Sequence, residues 1–69
     1  MINFKVGTVI QLKCAGENTY KIINRVDNYY ELEAIDFYYP EDLGDGINVN
    51  GLGQTTWISS FMSYLFKII

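Results

Sequence analysis

Short runs of alternating apolar and polar residues cover most of this 69-residue chain. Side chains alternate between the two faces of a β-strand, so a period of two indicates half-buried strands. Six runs follow the pattern, over residues 8–14, 19–26, 29–37, 47–49, 54–58 and 66–69. The sequence therefore predicts an all-β fold. We expect one domain over residues 1–69, because a chain of this length forms a single small core.

Turn-forming residues separate the first three runs. Residues 15–18 contain Gly16 and Asn18, and Asp27-Asn28 stands between the second and third runs. Gly, Asn and Asp tolerate the positive φ angles that tight connections need. The first three runs are therefore predicted to form an antiparallel meander.

A longer break follows the third run. Pro40 removes a backbone donor, and the glycines of residues 38–46 permit unusual φ angles, which predicts a loop. Asn50-Gly51 is a dipeptide typical of type I′ hairpins. It predicts that the runs on either side of it, 47–49 and 54–58, pair with each other.

The C-terminal segment predicts one helical turn before a last strand. Ser59 or Ser60 can cap the turn through a side-chain oxygen. Helical spacing places Phe61 and Leu65 on one face of it. Together with the strand pattern, this predicts ten core residues: Ile10, Leu12, Ile22, Val26, Leu32, Ile35, Trp57, Phe61, Leu65 and Ile68.

The order of these elements resembles an SH3-like small β-barrel. The resemblance rests on the segment 57–69, which carries the helical turn and the last strand, and on Val6-Gly7-Thr8-Val9-Ile10. It implies a barrel of five or six short strands with one helical turn before the last strand. The acidic and aromatic motifs of proline-peptide-binding SH3 domains are missing, so that ligand is not implied. The fold implies an interaction module more often than an enzyme.

The absent residue types exclude several function classes. The chain has no His and a single Cys, Cys14. His is the commonest general base near neutral pH and the commonest metal ligand, so we expect no catalytic residue, no metal site and no cofactor. Cys14 shares the apolar parity of its run and is predicted to be buried. No apolar stretch approaches the roughly 20 residues of a membrane span, and no signal segment is recognisable. A cytoplasmic protein without a membrane partner is expected.

The net charge of −3 hides an uneven distribution. Residues 1–26 carry a net +3, residues 27–56 carry −7 and residues 57–69 carry +1. The acidic stretch also contains most of the tyrosines. Tyr38 and Tyr39 are adjacent, so a strand cannot bury both on one face. Exposed tyrosines beside carboxylates are typical of protein-binding hot spots. The predicted partner-binding residues are Tyr38, Tyr39, Glu41, Asp42 and Asp45.

The favoured function is a non-enzymatic protein-interaction module that binds an unidentified protein partner. A phage or mobile-element accessory or inhibitor protein is one hypothesis, because 31 of the 69 residues are Phe, Tyr, Met, Ile, Asn or Lys, which have AT-rich codons. One alternative is a nucleic-acid-binding barrel that uses Lys5, Lys13, Lys21 and Arg25. The −7 stretch opposes phosphate and makes nucleic acid the lesser alternative. A homo-oligomer joined through strand edges or the apolar C-terminal segment is another alternative.

Overall fold

The computed structural model describes residues 3–14 and 17–69. Within them, seven strands and one 3₁₀ helix follow one another along the chain. The strands are β1 (Val9–Leu12), β2 (Thr19–Val26), β3 (Tyr29–Asp36), β4 (Glu41–Asp42), β5 (Asn48–Val49), β6 (Thr55–Ser59) and β7 (Phe66–Ile68), and the 3₁₀ helix is Ser60–Leu65. The prediction of an all-β fold with a helical turn before the last strand is confirmed. The turn predicted over 15–18 lies partly outside the described residues.

The main sheet has five antiparallel strands in the order β6-β3-β2-β1-β7. The predicted meander of β1, β2 and β3 is confirmed, and the chain turns from β2 to β3 at Asp27, whose φ is 52°. The last strand returns to pair with the first. β6 and β7 stay unpaired with each other, so the sheet is not closed and the barrel expectation is wrong. The helix that joins these two strands is about 12 Å long, more than twice the spacing of paired strands.

A second, two-stranded sheet interrupts the predicted loop. β4 pairs with β5, with Glu41 opposite Val49. The hairpin predicted at Asn50-Gly51 is therefore wrong, because β5 pairs with the strand before it rather than with β6. The tight turn lies instead at residues 43–47, where Gly44, Asp45 and Gly46 all have positive φ.

A bulge in β2 changes which residues of that strand face the core. The pairing of β2 with β3 shifts between Ile22 and Asn24, so Arg25, not Asn24, lies opposite the buried Tyr30. After the bulge, side chains therefore point to the face opposite to the one that the alternation of residues 20–22 would predict. Val26, predicted in the core, is 48% exposed for this reason.

The core lies on one face of the main sheet. It consists of Phe4, Ile10, Tyr20, Ile22, Tyr30, Leu32, Ala34, Leu43, Val49, Ile58, Met62 and Phe66. The predictions for Ile10, Ile22 and Leu32 are confirmed. Leu12 and Leu65 are partly buried and pack against the same cluster.

Two other strand residues predicted in the core are exposed because of register. Tyr30 and Ile58 are paired and both buried, so the adjacent Trp57 faces the opposite side of the sheet. Ile35 follows the buried Ala34 and likewise faces outward. Alternation predicts two faces but does not say which one meets the core.

The remaining core predictions fail at the C-terminal segment and at the end of β1. In a 3₁₀ helix side chains align every three residues, so Met62 and Leu65 share the inner side and Phe61 is exposed. Ile68 is exposed on β7 at the edge of the sheet. Cys14, predicted to be buried, is exposed because β1 ends at Leu12.

Candidate binding surface

A groove of about 440 Å³ opens beside the end of β3. Its lining residues are Gln11, Glu17, Asp36 and Tyr38. Gln11 lies on β1, Glu17 precedes β2, and Asp36 is the last residue of β3. Among residues 3–14 and 17–69, the lining therefore supplies two carboxylates, one amide and one aromatic ring, and no basic side chain.

Tyr38 is the aromatic wall of this groove. Its side chain is 63% exposed, and its hydroxyl donates a hydrogen bond to Asp36 Oδ2 at 3.1 Å. The hydrogen bond to Asp36 raises the pKa of Tyr38, and the negative charges of Asp36 and Glu17 add to the effect. The groove thus places two carboxylates beside an oriented ring.

Asn18 positions the backbone that carries this ring. Its side chain is fully buried. Asn18 Oδ1 accepts from the Tyr38 backbone N–H at 2.7 Å, and Asn18 Nδ2 donates to the Tyr39 carbonyl oxygen at 2.7 Å. A buried amide with both ends hydrogen-bonded holds the segment 38–39 against the start of β2. Sequence reasoning assigned Asn18 only to a turn and missed this role.

Glu41 lies below the surface rather than on it. The side chain is only 7% exposed, and the Tyr20 hydroxyl donates to Glu41 Oε1 at 2.6 Å. Glu41 Oε2 is buried without a hydrogen-bond partner among the described residues. Burial, and then the hydrogen bond to Glu41, raise the pKa of Tyr20 far above its ordinary value. In this conformation Glu41 is not available to a partner.

Asp42 and Asp45 lie on the β4–β5 hairpin. Both are exposed. Asp42 Oδ1 accepts from the Gly44 N–H at 2.8 Å, and Asp45 has a φ of 52° in the turn. These acidic residues therefore shape the hairpin. Within residues 3–14 and 17–69, no three acidic or Cys side chains come together as a metal site.

The five predicted binding residues thus separate into different environments. Tyr38 lines the groove, Tyr39 is half-buried, Glu41 is buried, and the two aspartates belong to the hairpin. The structure adds Gln11, Glu17 and Asp36 to the surroundings of Tyr38. The binding role of all five residues stays a prediction.

The basic residues do not form one stripe. Lys21 lies opposite Glu33 across β2 and β3. Arg25 lies opposite Tyr30, with its guanidinium carbon 5.5 Å from the centre of the ring. Because the bulge lies between them, the side chains of Lys21 and Arg25 face opposite sides of the sheet.

Comparisons of the chain with protein families, with curated proteins and with solved structures found no match. None of the helices in the described part of the chain has the length and apolar character needed to cross a membrane.

Proposed function

We propose that this protein is a non-enzymatic protein-interaction module whose groove binds a basic side chain of a partner protein. One observation carries the proposal. The groove combines the carboxylates of Glu17 and Asp36 with the exposed ring of Tyr38, and none of the described residues that line it is basic.

An arginine or lysine head group fits this chemistry. Carboxylates accept charge-assisted hydrogen bonds from a guanidinium or an ammonium group. A tyrosine face within about 6 Å attracts the same cation through its π electrons. The Asp36 hydrogen bond already orients the Tyr38 ring, and Asn18 fixes its backbone. Such preorganisation lowers the entropic cost of binding.

The charge of the chain supports a basic partner over an acidic one. The stretch 27–56, which includes Asp36 and Tyr38, carries seven acidic residues and no basic residue. Complementary potentials speed association and suppress wrong partners. Nucleic acid would need the dispersed cations Lys5, Lys13, Lys21 and Arg25, and no observation favours that alternative.

A relationship to SH3-like small β folds is part of the proposal. The pairing of β7 with β1 and the 3₁₀ helix before β7 support it. The β4–β5 hairpin would then be an insertion between the third strand of the meander and β6.

The test is a titration followed by NMR. A short arginine-rich peptide should shift the backbone amides of Gln11, Glu17, Asp36 and Tyr38, with a dissociation constant of roughly 0.1–1 mM for so small a contact. Tyr38→Ala and Asp36→Asn should each weaken binding about two- to fivefold, which corresponds to the loss of one exposed cation contact.

The matched control is Tyr64→Ala, because Tyr64 is 65% exposed and does not line the groove. It should bind the peptide as the wild type does. A glutamate-rich peptide of the same length should cause no shifts. Binding that survives both groove substitutions would refute the proposed surface.

A further inference from the structure

The outer edge of β6 (Thr55–Ser59) is an unpaired strand edge. β6 ends the five-stranded sheet, with β3 on one side and no strand from the described part of the chain on the other. An open edge presents a row of backbone donors and acceptors that another strand can satisfy.

Hydrogen-bond positions identify the groups on this edge. Ser60 N–H donates to the Asn28 carbonyl, and Ala34 N–H donates to the Gln54 carbonyl. In an antiparallel ladder the hydrogen-bonded pairs recur at every second residue, so the even-numbered residues of β6 bond to β3. The amide and carbonyl groups of Thr55, Trp57 and Ser59 therefore point away from the sheet.

The usual protection against edge pairing is missing from β6. Native edge strands carry charges, prolines or bulges that prevent association. The segment Thr55–Ser59 reads Thr-Thr-Trp-Ile-Ser, with no charge, proline or glycine, and its pairing with β3 is regular. The opposite edge, β7, has three residues, one of them Lys67.

An exposed apolar patch adjoins this edge on the outer face of the sheet. Val26 lies opposite Tyr29, and Tyr29 lies opposite Ser59, which places Tyr29 diagonal to Trp57. The three side chains Val26, Tyr29 and Trp57 are 48%, 54% and 42% exposed. Clustered exposed apolar residues mark association sites more often than isolated ones do.

We infer that β6 pairs antiparallel with β6 of a second copy of this chain, about a two-fold axis at Trp57. The segment is complementary to itself in this arrangement. Trp57 lies opposite its symmetry mate, and Thr55 lies opposite Ser59 of the other copy. Thr56 lies opposite Ile58, so both faces match. The outward groups of Thr55, Trp57 and Ser59 supply up to six backbone hydrogen bonds.

Charge does not oppose this pairing, although each chain carries −3. Glu31, which lies opposite Trp57 on β3, is the acidic residue paired with the centre of the edge. Across the proposed dimer the two Glu31 residues are three strand spacings apart, about 14 Å. That distance exceeds the screening length of about 8 Å at physiological salt.

The dimer is expected to be weak. One five-residue strand pair with its flanking patch falls below the area of a standard stable interface. A dissociation constant of roughly 0.01–1 mM follows. This inference shares no residue with the groove of Gln11, Glu17, Asp36 and Tyr38, and it does not depend on the proposed function.

Sedimentation equilibrium over about 10 µM to 1 mM tests the inference. The wild type should change from monomer to dimer across this range. Trp57→Lys should shift the dissociation constant upward at least about tenfold, because two lysines then face each other at the axis. Tyr64→Lys is the matched control: it replaces an exposed aromatic ring outside β6 with the same charged residue, and dimerisation should persist.

Amide hydrogen exchange of the wild type gives an answer that needs no variant. The amides of Thr55, Trp57 and Ser59 should become protected as concentration rises, whereas Thr56 and Ile58, already bonded to β3, should not change. A wild type that stays monomeric to about 1 mM would overturn the inference and leave the edge to a strand of another protein. Dimerisation unaffected by Trp57→Lys would overturn it too.

Discussion

A buried and an exposed tyrosine–carboxyl hydrogen bond can be compared in this protein. Tyr20 donates to Glu41 at 2.6 Å inside the fold, and Tyr38 donates to Asp36 at 3.1 Å beside the groove. The functional groups are the same, but Tyr20 is fully buried and Tyr38 is 63% exposed. Environment therefore decides which pair contributes to stability and which is free to meet a ligand.

The buried pair joins the two sheets. Tyr20 lies on β2 of the main sheet and Glu41 on β4 of the small one. Without this bond a buried carboxyl group would have no partner at either oxygen, since Oε2 already has none among the described residues. The surface pair has water as an alternative partner, so its loss leaves nothing unsatisfied.

The largest expected effect comes from Tyr20→Phe. Removing this hydroxyl should lower the free energy of unfolding by about 3 kcal/mol, because it leaves a buried carboxyl group without a hydrogen-bond partner. Urea denaturation followed by far-UV circular dichroism measures the change. A loss below about 1 kcal/mol would mean that water reaches Glu41 and that the two pairs are not different in kind.

A second substitution sharpens this result. Adding Glu41→Leu to Tyr20→Phe should recover more than half of the lost stability, since replacing both polar partners with apolar groups removes the unsatisfied oxygens. No recovery in the double variant would assign the loss to packing around Tyr20 instead.

A smaller effect is expected from alkaline pH. Burial raises the pKa of Tyr20 above its ordinary value of 10.0. Above pH 10 the unfolded chain loses the Tyr20 proton while the folded chain keeps it, so stability is complete below pH 10 and falls as pH rises. One proton released on unfolding lowers stability by at most about 1.4 kcal/mol per pH unit.

The stability of the wild type and of Tyr20→Phe is measured by denaturation between about pH 8 and pH 11.5. The difference between the two separates the effect of Tyr20 ionisation from that of the other tyrosines. The wild type should have the steeper decline. Equal slopes would contradict a tyrosine that stays protonated inside the fold.

The smallest effect is expected from Tyr38→Phe, the same deletion of one hydroxyl made at the surface. The free energy of unfolding should stay within the error of the measurement, because the pair is exposed and Asp36 regains water. The same denaturation assay compares it directly with Tyr20→Phe. Similar losses in the two variants would remove the distinction between the pairs.

Much of the strand pattern was predictable from local sequence. β2 has the predicted bounds, and β3 ends one residue earlier than predicted. The Ser59 cap is also as expected, with its hydroxyl accepting from Phe61 N–H at 3.2 Å. Alternation, turn residues and caps act between near neighbours in the chain, so they can be read without knowing the fold.

The candidate site was predictable only in part. Tyr38 was identified because adjacent aromatics cannot share one face. Glu41 was expected at the exposed binding surface because it follows the two tyrosines in an acidic segment predicted to be a loop. Its burial follows from a bond to Tyr20, 21 residues earlier in the chain, which no local pattern contains. Asn18, bound to residues 38 and 39, was missed for the same reason.

The period-two pattern, the turns and the charge asymmetry follow directly from the order of the amino acids. Which face of each strand meets the core does not, because one bulge after Ile22 reverses the parity and exposes Val26. Only the paired sheets bring Glu17 and Asp36 beside Tyr38, bury Glu41 and leave the edge of β6 open. The reason is physical: alternation is a property of one strand, whereas burial and edges depend on its neighbours.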